Sequence, residues 1–416
     1  MPLRACRSCG AERLESVLSL GSLPLANAFV APDAGDSPDE TFPLDLVLCG
    51  ACSLLQLADT VPPDKLFTEY PYFSSQSQTF VDHAGELVGR VVADHALGPS
   101  DLAMEIASND GYLLQHYRQA GVSVLGVDPA RNVAREAERR GVRTIPDFFG
   151  RELAERLSAE GVRPKVIHAN NVLAHVPDIR QFVEGISVLL RDDGVAIIET
   201  PYVRDLVDKL EFDTIYHEHV FYYSLASLQA LLGASGLTIV DVERVPVHGG
   251  SLRVFAGKNG SGTVGSRVEE LAEEEKELGL GSSGYYASFS KRVEGAREGI
   301  SSFLRSLREQ GSRLAGYGAA AKGTMLLNSL ALDERAVEYV VDSTPYKQGR
   351  LIPGVRIPIE PPDHLSADPP DYVVILAWNF AREIIEREGD YVRSGGRFIV
   401  PLPAPYVVTR ASEVVD

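Results

Sequence analysis

The stretch Glu105-Ile-Ala-Ser-Asn-Asp-Gly111, followed by Val127-Asp128-Pro129, decides the fold. An apolar run, Leu102 to Ile106, carries Glu105 and gives way to a small polar turn that contains Gly111. A helical run over Tyr112–Gln119 follows, and a second apolar run, Ser123 to Val127, ends at Asp128. Strand, loop, helix and strand, with an acid closing the second strand, is the layout of a nucleoside-binding βαβ unit. The acid is placed to bind the two ribose hydroxyls.

The loop is not G-x-G-x-x-G. Asn109 and Asp110 stand where a dinucleotide needs bare backbone against its pyrophosphate. A ligand with a ribose and no phosphate relaxes that requirement. S-adenosylmethionine is such a ligand, and its amino and sulfonium charges suit an acidic loop carrying Glu105 and Asp110. The expected contacts are Glu105, Ala107, Asn109, Gly111, Tyr112, Asp128 and Pro129, joined by Asn170 and Asn171 at a later strand end. The competing reading is an ordinary α/β turn without a ligand.

At 416 residues the chain is long enough for two or three domains. With 44% hydrophobic and 24% charged residues, its composition is that of a soluble globular protein. A net charge of -18 argues against nucleic-acid binding, although local basic residues can still hold a phosphate. The longest apolar runs fall short of a membrane span, and MPLRACRSCG has no apolar signal core, so a cytoplasmic location is expected. All four cysteines fall in two pairs, Cys6-x-x-Cys9 and Cys49-x-x-Cys52. In a reducing compartment, paired knuckles of this kind bind zinc more often than they form disulfides, and four thiolates leave no open position, so the zinc is structural.

Three domains are expected: a zinc-binding domain over 1–66, a doubly wound α/β domain over 67–266, and a second Rossmann-like domain over 267–416. In the middle domain the pattern predicts a helix over Phe80–Ala96 and strands at Val166–Ala169 and Gly194–Glu199. It also predicts helices over Asp178–Leu190 and Leu225–Leu232, and a closing hairpin at Thr238–Arg244 and Leu252–Gly257. The acidic run Glu269–Glu277 reads as a solvated helix face. A long amphipathic segment, Ala287–Gln310, can pack within the chain or against a second copy, which leaves a monomer or a small homo-oligomer open. Beyond it, Gly316-x-Gly318-x-x-Ala321 fits the dinucleotide fingerprint, with Lys322 on the first turn of the next helix. That turn suits NAD, the diphosphate of a nucleotide-activated substrate, or close packing alone.

Tyr216-His217-Glu218-His219 is the densest ionisable cluster, and it follows the strand end at Glu199-Thr-Pro-Tyr202. Ligands bind at that edge in such folds. In an extended segment His217 and His219 face one way and Glu218 the other. A histidine near neutral pKa can serve as general base. His175 lies just after another strand end.

The two cysteine pairs, the E-x-x-S-N-D-G loop, the N-V-L-A-H-V segment, the Y-H-E-H cluster and the G-Y-G-A-A-A-K-G turn occur here in one order. In that order the chain resembles, over essentially its whole length, the sugar C-methyltransferases of antibiotic deoxysugar pathways. The resemblance implies structural zinc on Cys6, Cys9, Cys49 and Cys52, and S-adenosylmethionine in the middle domain. It implies methylation of carbon 3 of a dTDP-activated 4-keto deoxysugar, held in part by the C-terminal domain. His219 then matches the catalytic base, with Glu218, Tyr216, Tyr70 and His175 around it. Tyr317, Lys322, Ser343, Tyr346 and Lys347 are the candidates for the nucleotide and diphosphate. Two rival readings are an NAD-dependent nucleotide-sugar oxidoreductase using the Gly316 turn and a non-enzymatic zinc-ribbon interaction protein.

Overall fold

The computed structural model describes residues 3–35, 38–62, 66, 73–247, 249–260 and 262–415. Tyr70 lies outside the described residues. Among the described residues the strands form three sheets.

In the first, β1 (Leu14–Pro24), β2 (Thr41–Cys49) and β3 (Leu55–Leu57) run antiparallel. Leu44, Leu46 and Leu48 alternate along β2 and are fully buried, the period-2 signature of a half-buried strand. This sheet takes its fourth strand from elsewhere in the chain. The two-residue strand Phe221–Tyr222 pairs antiparallel with β3, Gln56 opposite Phe221 and Leu55 opposite Tyr222.

The second sheet contains the Glu105–Gly111 loop. It uses β4 (Leu102–Ile106), β5 (Ser123–Val127), β6 (Thr144–Ile145), β7 (Val166–Asn170) and β8 (Val195–Pro201). With Phe221–Tyr222 as β9, the sheet is completed by β10 (Leu237–Val245) and β11 (Ser251–Lys258). The order is β10-β11-β8-β7-β4-β5-β6, parallel from β8 to β6, with the last hairpin antiparallel as expected. Strand order reverses at β4, so the loops after β4 and β7 flank a crevice at the carboxyl edge. Between β5 and β7 lie two helices beyond those the sequence pattern predicts, Arg131–Arg139 and Arg151–Ala159. Asp178 caps helix Ile179–Leu189 by accepting from the Gln181 amide at 3.1 Å.

The third sheet has the order β14-β13-β12-β15-β16-β17, built from β12 (Leu314–Tyr317), β13 (Val340–Val341), β14 (Ile359–Glu360), β15 (Tyr372–Ile375), β16 (Arg397–Val400) and β17 (Tyr406–Val408). All but β17 run parallel, and its own switch point lies at β12. The long helix Phe289–Glu309 buries Phe289, Val293, Ile300, Leu304 and Leu307 against the chain's own core.

The solvated face expected of the acidic run Glu269–Glu277 forms only in part. The helix Ser266–Leu278 is not a solvated acidic face throughout, because Glu275 is buried and accepts the Leu225 amide at 2.7 Å and the Ala226 amide at 3.0 Å. A carboxyl here satisfies the orphan amides at the start of helix Leu225–Ala234. Glu275→Ala is therefore expected to destabilise the fold by about 2 kcal/mol, measured by chemical denaturation.

Candidate active site and zinc centre

The two cysteine knuckles close on each other because β1, β2 and β3 bring their ends together. All four Sγ atoms lie within 4.8 Å of one another, with Cys6–Cys52 and Cys9–Cys49 both at 3.6 Å. Ligands of a tetrahedral zinc with bonds of about 2.3 Å stand about 3.8 Å apart, so the cluster has the size the ion requires. Gln56 Nε2 donates to Cys6 Sγ at 3.1 Å, the kind of contact that orients a metal ligand. Gly10 takes the left-handed turn of the first knuckle, while Ser53 takes it in the second.

The crevices of the second and third sheets open into one cavity of about 1160 Å³. On the middle-sheet side it is lined by Ala107, Asn109, Tyr112, Asp128 and Pro129, and by Asn170 and Asn171. Asp128 accepts the Asn109 amide through Oδ2 and the Ala130 amide through Oδ1, both at 2.9 Å. Burial pushes its carboxyl up to about 6. Ala107, Asn109 and Asn171 hold left-handed backbone, which for Ala107 is a strained position of the kind found at ligand clamps. Asn170 Oδ1 and Asn171 Oδ1 are buried without a hydrogen-bond partner among the described residues. Such orphaned acceptors fit a ligand that brings hydroxyl or amino donors, as S-adenosylmethionine does. Glu105 and Gly111 do not line the cavity. Glu105 is buried behind it, its carboxyl held well above the usual range by desolvation and by Asp128 and Asp110. The loop after β6 adds Asp147 and Phe148, the latter 56% exposed, to the lining.

The Tyr-His-Glu-His segment is a turn, closed by the His219 amide donating to the Tyr216 carbonyl at 2.8 Å. The extended geometry expected of it is therefore wrong, and the two histidines part. His217 is buried, its Nε2 3.1 Å from the Phe42 carbonyl. His219, Glu218 and Tyr216 face the cavity together, with His175 edge-on to His219 at 4.8 Å between ring centroids. His219 Nδ1 lies 2.9 Å from the Thr214 carbonyl and Nε2 lies 2.8 Å from the Tyr216 hydroxyl. A carbonyl offers only lone pairs, so the neutral ring carries its hydrogen on Nδ1 and presents the Nε2 lone pair to Tyr216. Glu218 is 5% exposed, accepts from Asn27 Nδ2 at 2.7 Å, and is pushed by burial up to about 7.

From the third sheet, Tyr317, Lys322, Ser343 and Lys347 reach the same cavity. Tyr317 donates to Glu388 at 2.8 Å, and Lys347 donates to the Ala319 carbonyl at 2.9 Å. Lys322 donates to Asn379 at 2.9 Å and sits over the Trp378 ring. Its ammonium is lowered by desolvation against the pull of Asp213 and Glu211. Glu211 and Asp213 are buried carboxyls raised by desolvation to about 7 and about 6. Tyr346 is 49% exposed, stacks with Arg350 and does not line the cavity. The glycines of the second turn have packing reasons. A Cβ on Gly316 would meet Val340 at 2.8 Å, and one on Gly318 would meet Ala377 at 2.9 Å.

Residues 6–67, 90–242 and 246–403 match family models described as "Putative zinc binding domain", "Methyltransferase domain" and "C-methyltransferase C-terminal domain". The C-methyltransferase NovU of Streptomyces niveus is 40% identical over 413 residues, spanning 99% of this chain and 98% of its own. The chain belongs to the C-methyltransferase family. This methyltransferase is an S-adenosylmethionine-dependent enzyme with a zinc-binding N-terminal region, and that identity replaces the oxidoreductase and interaction-protein readings. Among solved structures, magnesium protoporphyrin IX methyltransferase from Synechocystis PCC 6803 with bound SAM is 18% identical, covering 43% of this chain and 79% of its own, with a TM-score of 0.34. The Burkholderia thailandensis 1,6-didemethyltoxoflavin-N1-methyltransferase is 22% identical, covering 43% and 77%, with a TM-score of 0.32. The C-terminal family match begins within the seven-stranded sheet of the methyltransferase, since β11 lies between β10 and β8. No helix among the described residues is long and apolar enough to cross a membrane.

Asn27, Thr214, Glu211 and Asp213 were not singled out in the sequence. The carboxyls carried a weak signal, as acids beside the histidine cluster. Asn27 carried none, because its partner Glu218 is 191 residues away.

Two outcomes are expected. Cys49→Ser should lower the bound zinc, read by elemental analysis, and bring down the thermal midpoint. For Glu218, burial pushes the folded carboxyl up to about 7 from an ordinary 4.5, so the folded state binds the proton more tightly. Stability contributed by the protonated group is complete below the lower value and is lost as pH rises toward the higher one. Glu218→Gln should therefore match the native chain in stability near pH 4 and exceed it above pH 7, by on the order of 2–3 kcal/mol, in unfolding measured at both pH values.

Proposed function

We propose that this enzyme methylates carbon 3 of a dTDP-activated 4-keto deoxysugar, 3-amino sugars included, in antibiotic deoxysugar biosynthesis. The observation that carries the reading is the hydrogen-bonded chain Tyr216–His219–Thr214 on the wall of a cavity shared by the second and third sheets. The sugar and its position are supported by the motif order that resembles sugar C-methyltransferases. In this reading residues 1–66 hold the zinc, 67–266 carry the methyl donor and the base, and 267–416 help hold the nucleotide.

A carbon beside a ketone becomes nucleophilic once it loses a proton. His219 Nε2 takes the proton from carbon 3, its lone pair directed by the Thr214 carbonyl on the opposite ring nitrogen. The Tyr216 hydroxyl turns from Nε2 to the carbonyl oxygen at carbon 4 and donates to the enolate oxygen as its charge develops, with Tyr70 as a second candidate donor. Glu218 and His175, on the same wall, orient the sugar ring. Asp128 would hold the cofactor's ribose hydroxyls, and Asn170 and Asn171 its remaining polar groups. S-adenosylmethionine, when bound, supplies the electrophilic methyl group. Lys322, Lys347, Ser343 and Tyr317 border the space assigned to the nucleotide and diphosphate. Tyr346 has no part in this arrangement.

Incubation with S-adenosylmethionine and dTDP-4-keto deoxysugars in deuterated water, followed by mass spectrometry, tests the reading. The native enzyme should add one methyl group, and should exchange the carbon 3 proton without the methyl donor. His219→Asn should lower both by about 10²–10⁴-fold while S-adenosylhomocysteine affinity, by calorimetry, stays near native. Full exchange in the variant removes His219 from the role of base.

A further inference from the structure

We propose that Asn27, in the turn that follows the first strand of the zinc-held N-terminal sheet, is a positioning residue that fixes the Glu218 carboxyl for sugar binding. The inference rests on the reading of Glu218 as an active-site residue given above. Among the described residues from 3 to 62, Asn27 is the one that lines the cavity. Its Nδ2 donates to Glu218 Oε1 at 2.7 Å. Glutamate has three side-chain torsions to fix, and an amide donor holds its carboxyl in one rotamer whether or not it carries a proton.

The segment that carries Asn27 is itself held on both sides. It leaves β1 at Pro24, and Ala26 and Phe29 are buried around it. Val30 exchanges backbone hydrogen bonds with Leu351 at 2.9 and 2.8 Å, and the Phe29 ring packs beneath Lys347, a cavity residue of the third sheet. Asp39 adds an ion pair to Arg356 at 2.7 Å. The amide thus sits at a place set by the first and third sheets, and reaches a carboxyl on the turn that leads into β9.

The test compares native enzyme, Asn27→Ala, Glu218→Gln and the double variant for steady-state methylation of a dTDP-4-keto deoxysugar. Zinc content and S-adenosylhomocysteine affinity are measured on each. Asn27→Ala should lower kcat/KM for the sugar about 10-fold or more, with zinc and S-adenosylhomocysteine binding unchanged, and the double variant should be no slower than Glu218→Gln. If Asn27→Ala loses zinc, Asn27→Asp, of nearly equal volume but without the amide donor, is read in its place. Native rates in the Asn27 variants, or multiplying losses in the double variant, overturn the inference while the substrate reading stands. A native enzyme inactive on every such sugar, or a fully active Glu218→Gln, overturns the underlying reading and the inference with it.

Discussion

The pairing of β3 with β9 is the constraint on which the cavity-lining Tyr216–His219 turn depends. β9 begins two residues after His219, and its two residues pair with Leu55 and Gln56. The Leu57 amide adds a bond to the Val220 carbonyl at 2.9 Å. A two-residue strand has little stability of its own, and isolated short pairings are marginal in water. It is held here because β3 is an established strand whose neighbours are tied by four thiolates and by Gln56, which touches Cys6 on one side and lies opposite Phe221 on the other. The zinc region and the Tyr216–His219 turn therefore form one mechanical unit, although some 160 residues of chain separate their sequences.

The cavity wall and the buried layer behind it show the electrostatic consequence of gathering acids away from water. Asp128, Glu211, Asp213 and Glu218 are all raised, and in each desolvation is the largest cause. Lys322 is lowered for the same reason, and the acids Asp213 and Glu211 favour its charge. Trp378 fixes Asp213 by donating at 2.7 Å, and the following residue, Thr214, supplies the carbonyl that sets the His219 tautomer. The third sheet thus reaches His219 through Trp378, the Asp213 carboxyl and the neighbouring Thr214 carbonyl. The surroundings favour ligands that bring hydroxyl donors or a cationic centre, since these are the groups that satisfy buried carboxyls.

Much of this architecture could be read from local pattern. The strands Leu102–Ile106 and Ser123–Val127, the helix after Asp178, the antiparallel closing hairpin and the second α/β unit follow from apolar periods of 2 and 3.6 bounded by caps and turns. The cysteine pairs were legible because thiolates at that spacing have few other uses in a reducing compartment. The helices Arg131–Arg139 and Arg151–Ala159 were not, since their charged faces dilute the apolar stripe that marks a helix. Glu275 was misread for a related reason: an acid in an acidic run looks solvated until the amides it caps, some 50 residues earlier, are placed beside it.

The sequence by itself determined most of the strands and helices, the zinc ligands and the family's motif order, because these depend on spacings of a few residues. Only the tertiary structure decided which way His217, Glu218 and His219 face, that β9 belongs to the zinc-held sheet, that Asn27 meets Glu218, and that Tyr346 stays outside the cavity. Those outcomes turn on contacts between segments far apart in the chain. They are fixed by burial and by the pairing of most buried polar groups, which no local window of residues contains.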